Sequence, residues 1–110
     1  MAKLKVDIGG GNYFFELDRA SIRWGEGIGF SMEDFKAKPL TQTQLMWAMG
    51  LHKHHPTLQV EKLFKLFDQY ASENGDFEEV YEFIVNQYQT FLLATLEDSE
   101  KPKKKAEIVD

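Results

Sequence analysis

The residues best equipped for chemistry are three histidines crowded into His52-Lys53-His54-His55. Imidazoles ligate metals, serve as general bases and change charge near neutral pH. A metal site on a helix wants ligands four apart, and a closed site needs three or four of them. His52 and His54 point to different sides of a helix, Lys53 lies between them, and the chain has no cysteine to complete a site. The pattern favours a structural role, with side chains able to carry positive charge near a helix C-terminus and its dipole. No metal and no cofactor is expected.

Other candidate chemistry fails on spacing. Asp76, Glu78, Glu79 and Glu82 crowd the start of a helix, where carboxylates meet the positive end of its dipole. General acid–base work would need one of them buried with a shifted pKa, and their positions alternate with apolar ones. Ser21, Ser31, Ser72 and Ser99 have no nucleophile-elbow context. Gly9-Gly10-Gly11 is not followed by the helix and lysine of a phosphate loop. The chain does not read as an enzyme.

Composition narrows the class further. The chain has 110 residues, enough for one domain with a modest core. It is 43% hydrophobic and 14% aromatic, too apolar for a disordered protein. A net charge of −5 argues against nucleic acid and against anionic membrane surfaces. The first residues lack the apolar run of a secretory signal, and no stretch approaches the roughly 20 apolar residues of a membrane span. The expectation is a soluble, cytoplasmic protein with no nucleic acid and no membrane partner.

The elements follow from periodicity. Leu4, Val6 and Ile8 alternate with polar residues, as do Tyr13, Phe15 and Leu17 with their neighbours, which predicts a β-hairpin over 3–17 with a four-residue connection, Gly9 to Asn12. Asp18 caps a short helix over 18–28. The stretch from Trp24 to Leu40 reads as the least regular, with Ser31 capping one turn and Pro39 ending it. Its apolar residues either fold back under the helices or form an adaptable surface. Thr41 caps a helix over 42–54 that is apolar almost all round, a pattern for a helix central in the core or covered by another protein. Pro56 ends it, and Thr57 caps a helix over 58–73. Asp76 caps a long helix over 77–96 whose stripe runs Phe77, Val80, Tyr81, Ile84, Val85, Tyr88, Phe91 and Leu92. Phe83, Leu93 and Leu96 fall off that stripe, so the helix is expected to be buried on two sides or to meet another molecule near Leu93. Residues 98–110 mix lysines with acids and read as a charged, flexible tail. The expected fold is α+β and mostly α, a hairpin packed on a bundle of three to four helices in a single domain over 1–97.

This order of elements resembles a known family. A hairpin leads to an irregular stretch beginning Leu17-Asp18, then to Leu45-Met46-Trp47-Ala48-Met49-Gly50-Leu51, then to Pro56-Thr57-Leu58, and last to a long helix with spaced aromatics and a charged tail. From Leu4 to Leu96 the chain looks like the tail assembly chaperones of long-tailed bacteriophages. The resemblance implies a non-enzymatic protein that coats the apolar, helical tape measure protein before assembly. Such a protein keeps its client soluble, recruits tail tube subunits, and stays out of the finished virion. In many members a frameshift near the C-terminus makes a longer product that contacts the tube protein. Lys103-Lys104-Lys105 would suit an adenine-rich slippery site.

Partner contact falls on physical grounds to Trp24, Phe30 and Phe35 in the irregular stretch, to Met46, Trp47 and Met49 on the apolar helix, and to Leu93. A homo-oligomer is a further expectation. Two other classes fit the composition: a structural head–tail connector or head completion protein of a phage, and a generic helical adaptor.

Overall fold

The computed structural model describes residues 3–74 and 77–105, with side chains as far as residue 92. Strands β1 (Leu4–Ile8) and β2 (Gly11–Phe15) form an antiparallel hairpin in which Leu4, Val6 and Ile8 lie opposite Phe15, Tyr13 and Gly11. Four α-helices follow among the described residues: α1 (Arg19–Gly27), α2 (Pro39–His52), α3 (Val60–Asn74) and α4 (Glu78–Lys105), with a 3-10 turn over Met32–Phe35. The α+β, mostly helical architecture is the expected one. No helix of the described residues is long and apolar enough to cross a membrane.

The hairpin connection is tighter than expected. Only Gly9 and Gly10 form the loop, at φ +60° and +82°. Two consecutive positive φ angles match the right-handed twist of the flanking strands, and glycine reaches them without a Cβ clash. Gly11 and Asn12 therefore belong to β2.

At α1 Asp18 does cap. Its carboxylate accepts the Ser21 N–H at 2.8 Å, and the Ser21 hydroxyl accepts the Asp18 N–H at 2.7 Å, a reciprocal box. The start of α2 corrects the expectation. Pro39 does not end the preceding turn but opens the helix at its first position, where a missing N–H costs nothing. Thr41 is thus inside the helix and is no cap, and Ser31 makes no side-chain cap either. The helix stops at His52, before His54, and α3 begins at Val60, after Thr57. Asp76 and Gly75 lie outside the described residues.

The last helix is longer than its apolar stripe. It continues to Lys105, past the expected end at 96 and through the first part of the expected tail. Glu97 and Lys101, and Glu100 and Lys104, are four apart with the acid first, an order that supports helix. Pro102 lies within it and removes one backbone donor.

The core is built around α2. Leu45, Met46, Trp47, Ala48, Met49, Gly50 and Leu51 are all buried, as a helix without a polar face requires. Trp47 is fully buried, with Phe15, Phe67, Tyr70 and Phe77 around its ring and its Nε1–H donated to the Leu63 carbonyl at 3.0 Å. Two glycines let neighbours close in. A Cβ at Gly25 would collide with the Met49 side chain, and one at Gly50 would crowd Phe15 and Ile84. The irregular stretch folds back onto this core, with Phe30 buried and Gln42 holding it by accepting the Ser31 N–H at 2.8 Å.

Candidate protein-binding face

Burial sorts the expected contact residues. Met46, Trp47 and Met49 lie within the core, and Phe30 is buried against Phe35 and Tyr88. None of these four is open to a partner in this fold, because α1, α3, α4, β2 and the 3-10 turn close around α2. Trp24 is half-buried, its ring stacked on His52 at 3.9 Å and 7°. Phe35 is half-buried at a rim, edge-on to Phe30 and Tyr81. The Leu93 side chain lies outside the described residues.

The structure exposes other apolar groups. Met32 is 38% exposed, Tyr81 38%, Leu92 49% and Leu40 65%. On α4 the broad stripe read from the sequence splits in two. Val80, Ile84 and Gln87 form the buried seam, flanked by half-buried Phe77 and Phe91. Tyr81, Val85, Tyr88 and Leu92 stand one residue further on at the same spacings of three and four, so they line an adjacent flank. Tyr81 meets Phe35 and Tyr88 meets Phe30, which sets this flank beside the 3-10 turn that carries Met32. The face is apolar, includes a thioether and aromatic rings, and has exposed Glu33, Asp34, Glu78 and Glu82 on the elements that form it. A surface of that kind takes the apolar side of another helix.

Gln87 explains why the seam was hard to read. A polar residue is buried there because its Oε1 accepts the Leu17 N–H at 2.7 Å, at the point where β2 leaves the hairpin. The flank itself was legible, since Tyr81, Val85, Tyr88 and Leu92 have helical spacing, but spacing alone cannot say which of two adjacent stripes is covered.

Two of the histidines, His54 and His55, hold the hairpin's exit strand to the end of α2, each differently. Glu16 is buried and receives Lys53 Nζ at 2.8 Å and His54 Nε2 at 2.8 Å. A carboxylate can only accept, so His54 Nε2 carries the hydrogen. Lys53 lies 3.7 Å from Asp18 as well. The hydrogen bonds from Lys53 and His54 hold the Glu16 carboxyl below its usual range, which makes it a poor proton acceptor. His55 Nε2 accepts the outward N–H of Phe14 at 3.1 Å, which it can do only while unprotonated. Burial, aided by the nearby His54, pushes the His55 pKa down to match. His52 is also pushed down by burial, and its Nδ1 has no hydrogen-bond partner beneath the Trp24 ring. Among the described residues no three histidines or carboxylates converge as a metal site would need. Lys53, His54 and His55 act as a clamp on the exit of β2, while His52 packs on α1.

Comparison with curated proteins and with solved structures gives no match. A family model does match, across residues 1–109, and the chain therefore belongs to the family described as Domain of unknown function (DUF5055).

Proposed function

We propose that the protein is a non-enzymatic tail assembly chaperone of a long-tailed phage, and that it holds the tape measure protein through the flank of α4 and the neighbouring 3-10 turn. The observation that carries this reading is the set of exposed Met32, Tyr81 and Leu92 beside half-buried Phe35, Val85 and Tyr88. A holdase for an apolar helix needs accessible, adaptable apolar surface, which thioether and aromatic side chains provide. Its acidic charge keeps such a surface soluble and complements basic residues bordering an apolar stripe on the client. On this reading the protein works in the host cytoplasm, recruits tail tube subunits, and does not enter the virion.

Co-expression with the tape measure protein is the test. The chain should raise the client's soluble yield, and Leu92→Glu should abolish that gain while the variant itself stays folded. An unchanged client yield would overturn the proposal. Ring formation and retention in purified particles would instead identify a head–tail connector.

A further inference from the structure

One edge of the hairpin is open, and the other is closed at its exit. A two-residue loop closes on a hydrogen-bonded pair, here Ile8 with Gly11, so Val6–Tyr13 and Leu4–Phe15 are bonded pairs as well. The backbone groups of Lys5 and Asp7 on β1, and of Asn12 and Phe14 on β2, therefore point away from the hairpin. On β2 the outward N–H groups toward the exit are met: the Phe14 N–H by His55, and the next one, the Glu16 N–H, by the Gly50 carbonyl at 3.0 Å, while Asn12, beside the turn, has no partner for its outward groups among the described residues. On β1 no partner among the described residues meets the outward N–H and C=O of Lys5 and Asp7, and Lys3, Lys5 and Asp7 are all exposed. Only the turn end is occupied, where Glu73 of α3 accepts the Gly9 N–H at 3.0 Å.

We propose that two copies of the chain join edge to edge through β1, antiparallel about a two-fold axis at Val6, into one four-stranded sheet. Charge selects this occupant and this register. With Val6 opposite Val6, Lys5 of each copy faces Asp7 of the other, and both residues present their free backbone groups to the partner strand. Of the next permitted registers, one sets Asp7 opposite Asp7, and the other sets Lys5 opposite Lys5 at the axis, a repulsion that the outer Lys3–Asp7 pairs there must offset. In the chosen register Lys3 lies opposite Gly9 of the second copy, where the Glu73 carboxylate sits. A lysine on a strand edge usually guards against pairing. Here an aspartate two residues along makes the edge complementary to itself, as a two-fold interface demands. The pairing also adds the strands that a lone hairpin lacks for stability in water.

Sedimentation of the full chain across a concentration series tests the pairing. The wild type should dimerise reversibly, and more weakly at high salt. Lys5→Asp and Asp7→Lys should each weaken dimerisation at least tenfold with unchanged circular dichroism. An equimolar mixture of the two should recover a heterodimer, because every cross-strand pair is then opposite in charge. Should Asp7→Lys fail to fold through loss of its bond to the Gly10 N–H, Lys5→Asp with hydrogen exchange decides. The Lys5 and Asp7 amides should exchange more slowly as wild-type concentration rises, and Lys5→Asp should remove that dependence. A wild type that stays monomeric, or a dimer indifferent to these substitutions and to protection at Lys5 and Asp7, would overturn the proposal.

Discussion

Replacing Gly50 with alanine sets two effects of similar size against each other. Gly50 lies inside α2, so alanine gains about 0.8–1.0 kcal/mol of helix propensity. The new Cβ would stand 2.9 Å from Ile84 Cδ1, 2.9 Å from Phe15 Cδ1 and 3.3 Å from Ile84 Cγ1. Carbon atoms prefer roughly 3.5–4.0 Å, and both neighbours are buried with little room to retreat. Forcing an extra methyl into a close-packed core costs typically about 1–3 kcal/mol. Overpacking should win, for a net loss of roughly 1 kcal/mol. In a domain of this size that lowers the melting temperature by about 4–8 °C. Differential scanning calorimetry, with urea titration at 25 °C, measures it. Gly27→Ala is the control, since nothing lies within 4 Å of a Cβ there, and it should be neutral or stabilising by up to about 1 kcal/mol. Ile84→Val removes Cδ1, one of the three crowding carbons, and alone costs about 0.5–1.5 kcal/mol. The double variant should be less destabilised than the sum of the singles. A Gly50→Ala protein more stable than wild type, or strict additivity with Ile84→Val, would refute the packing argument.

Three more outcomes follow from the described contacts. Gln87→Leu keeps the seam apolar but strands the buried Leu17 N–H, and should cost about 1–3 kcal/mol in urea unfolding. Leu92→Glu changes an exposed position and should move stability by no more than roughly 0.5 kcal/mol, while losing client retention. Stability should fall with acidification in two windows, read by thermal unfolding between pH 8 and 3. His52 and His55 have folded pKa values below the ordinary 6.5 of histidine, so the unfolded chain takes up more protons first and stability drops as pH falls below that value. Glu16 is likewise lowered from 4.5, and its contribution, present above that pH, is lost as pH falls through its folded value. A profile flat from pH 7 to 5 would exclude the histidine contribution.

Much of the architecture was legible because local chemistry and tertiary packing agree. Alternation in Leu4–Ile8 and the glycines after it specify the hairpin, and the Asp18 cap specifies α1. The all-round apolar α2 left two readings open, a core helix or one covered by a partner, and the burial of Met46, Trp47 and Met49 places it in the core. What resisted reading were positions where a rule has two outcomes. Pro39 both terminates helices and starts them, and only the backbone shows which applies. Gln87 is polar yet buried, because its partner at Leu17 lies far away in sequence. Tyr81 and Val80 are adjacent in one apolar stripe, and which is covered depends on how Phe30 and Phe35 fold back. The histidine clamp was invisible for the same reason, since Glu16 and Phe14 are remote in sequence from His54 and His55.

The long span of the Leu17–Gln87 bond has a consequence for how the protein is made. Its partners are 70 residues apart, and those of the Gly9–Glu73 bond 64. At synthesis rates of about 5–20 residues per second, roughly 4–14 seconds pass between the appearance of one end and the other. Helix α2 ends at His52, 35 residues after Leu17, so for the first half of that interval Val6, Ile8 and Phe15 have no core beneath them, and only at its end does α4 secure the hairpin's exit. The hairpin is thus made before the helix that locks its exit, and in that interval the nascent chain needs the shelter from aggregation that the proposed role has it give to its client.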